Sequence, residues 1–337
     1  MANAAMVVEI TGQRYPVRHR LCEKAGVKLQ SVLGYSVLLV LSVSCRVDQA
    51  IEAEDSWFYS RRPTQSVATL VGADTLHWTQ VGSGSDTLVL VHGFGPYPTV
   101  QWQPVVWKFS DTKTLIVVDL LGFGQSTSPD TSIRISQQVE ALRSALDAHG
   151  IARIHLVGHS YGGMVSTVFA SQHPERLRSL VLIDPPHRHF ELSYLDSLQQ
   201  QWGRPIEEVL LPRDLESYDA MMQLSVYDPF FLPAFMKQQV LENIYSENLK
   251  QREAMLRAVR RDEAWIREQA HGCSVPTLLV WGAHDALFPP RGAAMVAQDF
   301  PLSRTALIPK AGHLPHMERP FDVLDSLEAF FNDQGPK

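Results

Sequence analysis

Six short apolar runs, at residues 87–91, 114–118, 153–157, 180–183, 277–281 and 305–308, recur with helix-like stretches between them. They are rich in Val, Ile and Leu and are almost uninterrupted by polar residues. Such runs mark strands buried on both faces of a parallel sheet, whereas a sheet with one wet face alternates apolar and polar residues. Residues 135–149 are typical of the intervening segments, with apolar positions at helical spacing after a Ser-containing start. Strand, helix and strand in repetition predict a doubly wound α/β fold with a mostly parallel central sheet and helices on both faces.

One interval breaks the rhythm. About ninety residues rich in Met, Phe, Tyr and Leu separate Asp184 from Val275. A structureless loop of that length is improbable inside a compact domain, so an inserted helical cap is expected at 187–270. The core is then expected at 67–186 and 271–337. No internal repeat or low-complexity tract is present.

Residues with catalytic chemistry collect where the strands end. The run ending at Val157 continues as Gly158-His159-Ser160-Tyr161-Gly162-Gly163 and then into a helical stretch. A Gly-x-Ser-x-Gly turn between strand and helix lifts its serine from the end of the sheet on a strained backbone. A serine hydroxyl attacks poorly unless a base takes its proton and an acid orients that base; on this type of fold the chain order is Ser, acid, His. Asp285, after the run ending at Trp281, and His313, in Ala311-Gly312-His313, complete that order. Asp184 is the reserve acid. His92 and His316 read as packing residues of their loops. The run ending at Val91 leads into His92-Gly93-Phe94-Gly95, and the amides of Phe94 and Tyr161 form the expected oxyanion hole. This chemistry requires no metal and no cofactor.

Together, 92–95, 119–126, 158–163, 282–285 and 312–320 resemble the α/β-hydrolase superfamily over about residues 67–333. Within it the chain is similar to bacterial family V lipases and membrane-anchored monoacylglycerol lipases. His159, Tyr161 and the Pro96-Tyr97-Pro98 stretch depart from those relatives' usual pattern. The resemblance implies a serine esterase or monoacylglycerol-type lipase cleaving small-molecule or lipid esters. Carbon–carbon bond hydrolases of ring-fission products use the same three residues and are the alternative; a catalytically inactive binding module is another. Ser160 stands where dehalogenases and epoxide hydrolases of this fold carry aspartate. Met221, Met222, Tyr227, Phe230, Phe231, Phe235 and Met236 suit either an acyl channel or the cap's own core.

The N-terminus has a different character. Five basic residues against two acidic ones in 1–30 precede an uncharged apolar run at 31–44, followed by Cys45. Fourteen residues are too few to span a bilayer as a helix but match the apolar part of an export signal. Residues 41–45 resemble a lipobox, so 1–45 is expected to be a leader whose Cys45 is lipidated, or an uncleaved membrane anchor. Residues 46–66 are expected to be a polar tether, and the protein is expected to be exported and membrane-associated. A net charge of -6 argues against nucleic acid as partner. Three cysteines without CxxC spacing argue against a disulfide framework or a zinc site.

Overall fold

The computed structural model describes residues 6–8, 46–188 and 192–333. Among the described residues, nine strands form one sheet in the order β1-β2-β3-β5-β4-β6-β7-β8-β9. They are β1 (Met6–Val8), β2 (Thr64–Val71), β3 (Asp74–Val81), β4 (Thr87–Val91), β5 (Thr114–Asp119), β6 (Ile154–His159), β7 (Leu177–Ile183), β8 (Thr277–Gly282) and β9 (Ser303–Ile308). From β5 to β9 every neighbouring pair is parallel, while β1, β2 and β3 join by antiparallel pairings.

The parallel strands bury alternate residues on opposite faces. Val89, Val91, Leu156, Leu182 and Trp281 pack on one side with the helices Ile135–Ala148 (α3) and Ser160–Gln172 (α4). Leu88, Leu90, Val157, Ile183 and Val280 pack on the other with Gln103–Phe109 (α2) and the C-terminal helix Pro320–Asn332. Each such side chain, removed from water, contributes about 1.5–3 kcal/mol. Two covered faces therefore make the centre of the sheet rigid, and the loops at its strand ends inherit that rigidity.

Between β7 and β8 the chain forms helices Leu192–Trp202 (α5), Ile206–Leu210 (α6), Leu215–Ser225 (α7), Ala234–Val240 (α8), Leu249–Arg261 (α9) and Glu263–Gln269 (α10). Several of them share a hydrophobic cluster that includes Leu198, Ile206, Tyr218, Leu224, Met236 and Ile244. Asp214 caps α7 by accepting from the Ser217 amide at 2.7 Å, in a reciprocal capping box.

The tether expected at 46–66 is corrected. Val47–Ser60 is a helix (α1), and β2 begins at Thr64. Val47 and Ile51 pack on the cap cluster, and Tyr59 is buried in the core against the sheet. Apolar residues at 47, 51 and 58, four and seven apart and so on one face of the helix, with Tyr59 beside them, account for this docking. The 31–44 run and Cys45 lie outside the described residues.

Candidate active site

Ser160 sits where β6 passes directly into α4, with φ of 50°, a left-handed conformation that costs a non-glycine residue strain. The neighbouring glycines make the turn possible. A Cβ at Gly162 would run into the carbonyls of Val91 and His92, and one at Gly158 into Ser166 and the Gly162 carbonyl. The start of α4 thus lies against the end of β4, which carries the next loop. Phe94 on that loop packs its ring edge-to-face on Tyr161, centroids 5.3 Å apart. Tyr161 is the second residue of α4, where helix amides lack intrahelical acceptors, so the expected oxyanion pair Phe94 and Tyr161 are neighbours.

His313 Nε2 lies 2.8 Å from Ser160 Oγ, and His313 Nδ1 lies 2.8 Å from Asp285 Oδ2. All three side chains are buried. The other oxygen of Asp285 accepts from the amides of Leu287 and Phe288 at 2.8 and 2.9 Å. Asp285 is therefore held as an acceptor on both oxygens, which fixes the proton of His313 on Nδ1 and turns Nε2 toward the serine. The arrangement is a Ser-His-Asp triad.

Asp184, the reserve acid, is close but turned to a different task. It is fully buried with φ of 43°, and Oδ1 accepts from the Gly282 amide at 2.9 Å. Burial, and then the charge of Asp285, push its carboxyl far above the ordinary carboxylate range, so it is a neutral acid beside the triad. Donor atoms of Asp184, Asp285 and His313 converge within 4.8 Å, a spacing that suits a metal ion. Asp285 and His313 nevertheless spend their lone pairs and proton on each other and on the serine.

His92 packs its loop. Its Nδ1–H donates to the Gly93 carbonyl at 2.6 Å, and Nε2 accepts from the Leu120 amide at 3.0 Å. His316 stacks on Trp102 and, like His159, is buried. His159 donates from Nε2 to the His313 carbonyl at 2.8 Å, which places the second residue of the Gly-x-Ser-x-Gly turn behind the base.

Glu318 is a site residue that the sequence reading missed. Oε1 accepts from the Gly312 amide at 2.9 Å and the Leu314 amide at 3.3 Å, and Oε2 from the Tyr227 amide at 2.7 Å. It clamps both flanks of His313 and joins that loop to the cap. Its half-buried carboxyl is raised by desolvation, which outweighs the three amides. A Glu five residues after the base was the available signal, but only the fold brings Tyr227 to it.

Burial lowers His92 to about 4 and His316 to about 3, and lowers His159 well below the ordinary range, each by desolvation first. These rings are neutral in the fold and take up protons on unfolding. Their stabilisation is complete above the unfolded histidine pKa of about 6.5 and is lost as pH falls toward the folded values. The thermal unfolding midpoint should fall between pH 6.5 and 4, and His316→Phe should flatten that slope. A midpoint rising over the same window would contradict the assignment.

The sequence matches the family described as alpha/beta hydrolase fold over residues 86–320. It is 26% identical to Lipase 1 of Psychrobacter immobilis over 280 residues, covering 78% of this chain and 82% of that protein. It is also 26% identical to human monoacylglycerol lipase ABHD6 over 263 residues, covering 74% of this chain and 78% of the relative. The crystal structure of a bacterial membrane phospholipase A, at 22% identity, superposes with a TM-score of 0.72 over 90% of this chain and 98% of that one.

Proposed function

This chain belongs to the alpha/beta hydrolase fold family, and from that premise we propose that it is a serine carboxylic ester hydrolase, an esterase or monoacylglycerol-type lipase. The observation that carries the proposal is the hydrogen-bonded line from Ser160 through His313 to Asp285 at a strand-to-helix elbow. His313 Nε2 takes the Ser160 proton as Oγ attacks the ester carbonyl carbon. The resulting oxyanion is received by the Phe94 and Tyr161 amides. The carbonyl re-forms, the C–O bond to the alcohol breaks, and His313 returns the proton to the departing alcohol. Water, deprotonated by the same histidine, then cleaves the acyl-enzyme and regenerates Ser160.

The names of the relatives, a lipase and a monoacylglycerol lipase, favour lipid esters as substrates. The basic stretch and apolar run before residue 46 favour membrane attachment through the N-terminal segment, by lipid on Cys45 or by an uncleaved anchor. Export of the catalytic part follows from the same reading.

The full chain should be assayed against p-nitrophenyl esters of graded acyl length, a monoacylglycerol, and a 2-hydroxy-6-oxo-dienoate ring-fission product. Ester turnover is expected to exceed carbon–carbon cleavage by roughly a hundredfold or more in kcat/KM. Faster cleavage of the dienoate would replace the ester reading with the carbon–carbon one; absence of turnover on every substrate would leave a binding module.

A further inference from the structure

The Met and aromatic residues that suit a channel or a core divide in the structure. Met221 and Met236 are buried in the cap cluster, but Phe230 is 60%, Phe231 87% and Phe235 55% exposed. Each forgoes about 1.5–3 kcal/mol of burial by remaining in water. Isolated exposed apolar residues are ordinary; three phenylalanines this exposed within six residues of chain are a local concentration of apolar surface. Pro229 and Pro233 restrict the turn that presents them, so little conformational entropy remains to be lost on docking. Asp228 is the one residue in 227–236 that is charged at neutral pH.

The path of the chain indicates what covers this patch. Phe235 lies one helical turn before Gln239, whose Oε1 accepts from the backbone amide of Val47 at 3.0 Å. Val47 and Ile51 pack in the same cluster as Leu232, Met236 and Val240. The start of α1 therefore lies one helical turn from Phe235. The 31–44 run ends three residues before Val47 and Cys45 two before it. Three residues reach at most about 11 Å even when fully extended. An attachment through that run or through Cys45 would therefore hold the start of α1, and with it Phe235, within a short reach of the membrane.

The same stretch of cap begins at the catalytic loop. The His313 amide donates to the Ser225 carbonyl at 2.8 Å, and the Tyr227 ring lies 4.4 Å from that of His284, next to Asp285.

We infer that Phe230, Phe231 and Phe235 form a lipid-docking face that inserts into the boundary between headgroups and acyl chains of a bilayer. The inference rests on the N-terminal attachment proposed above and adds the face by which the attached protein meets lipid. Aromatic rings favour that boundary, and the near absence of charge in 227–236 suits a zwitterionic surface. The catalytic histidine then works a few residues of chain from the lipid that holds the ester.

The test uses the full chain with phosphatidylcholine vesicles brominated on their acyl chains near the glycerol. Phe231→Trp is compared with Leu307→Trp, the latter on the edge strand β9 and 54% exposed. After subtraction of wild-type emission, the tryptophan at 231 is expected to shift to the blue and lose at least about half its intensity, with that at 307 unquenched. The triple variant Phe230→Ala, Phe231→Ala, Phe235→Ala should lose about fivefold or more on a vesicle-borne ester and stay within about twofold on a soluble acetate ester.

Protein that sediments with vesicles but leaves residue 231 unquenched overturns this inference alone. Protein that fails to sediment overturns the attachment reading with it. A wild-type dimer that the triple variant converts to monomer, with no quenching, would assign the patch to a second copy. Equal losses on both esters would return the phenylalanines to the substrate channel.

Discussion

Ser160→Ala is expected to lower kcat for ester hydrolysis by roughly 10³-fold or more while leaving the thermal midpoint nearly unchanged. The substitution removes only Oγ, because the backbone strain at φ 50° is carried equally by Ala. What is lost is the atom 2.8 Å from His313 Nε2, and with it the acyl-enzyme route. His313→Ala should cost about as much, since base and nucleophile act as a unit and the second loss adds little to the first. A fluorophosphonate should label the wild-type chain once, on the peptide containing Ser160, and should not label Ser160→Ala. Turnover above a tenth of wild type in either variant, or a label on another serine of active enzyme, would displace the triad.

The second large effect separates two buried carboxyls. Asp285→Asn is expected to lower kcat by about 10²–10⁴-fold, because an amide NH₂ cannot accept from His313 Nδ1–H and drives the ring to the other tautomer. Asp184→Asn is expected to stay within about threefold of wild type, since the native residue is already neutral and an amide keeps the same shape and an acceptor for the Gly282 amide. Stability should move the other way. The folded pKa of Asp184 is raised, so the stabilisation of its protonated form is present below the ordinary carboxylate pKa and is lost as pH rises toward the folded value. Asn does not titrate. The melting temperature of Asp184→Asn should therefore exceed that of wild type at pH 8 by more than at pH 4. If Asp184→Asn is instead the more damaging to turnover, the orienting acid is Asp184.

The strands β4 to β8 announce themselves because burial on both faces demands uninterrupted apolar residues, and β9, mostly exposed at the sheet edge, is marked by a short apolar run that ends in the buried Ile308. β2 and β3 do not. In β2 only two of eight positions are fully buried, and β3 mixes His77, Thr79 and Gln80 with Leu76 and Trp78, so no continuous run marks either strand. Helix α1 was missed for a related reason. Its acidic and polar residues suit a solvated segment, and its few apolar positions acquire meaning only once the cap cluster and the sheet exist for Val47, Ile51 and Tyr59 to meet.

Local chemistry alone marked the elbow, the expected oxyanion turn, and the nucleophile and base of the triad, with Asp285 ahead of Asp184 as the acid. Glycines at fixed offsets, strand ends and chain order are properties of short segments, and they survive in one dimension. Tertiary structure decided the matters of distance and exposure. It brought His313 across 153 residues of chain to Ser160, chose Asp285 over Asp184 by giving one carboxyl three donors and pushing the other toward its neutral form, and recruited Glu318 to clamp the base to the cap. It also placed Phe230, Phe231 and Phe235 at the surface where composition allowed a channel or a core. Hydrophobicity states only that a side chain gains by leaving water; which neighbours are within reach to receive it is settled when the chain closes on itself.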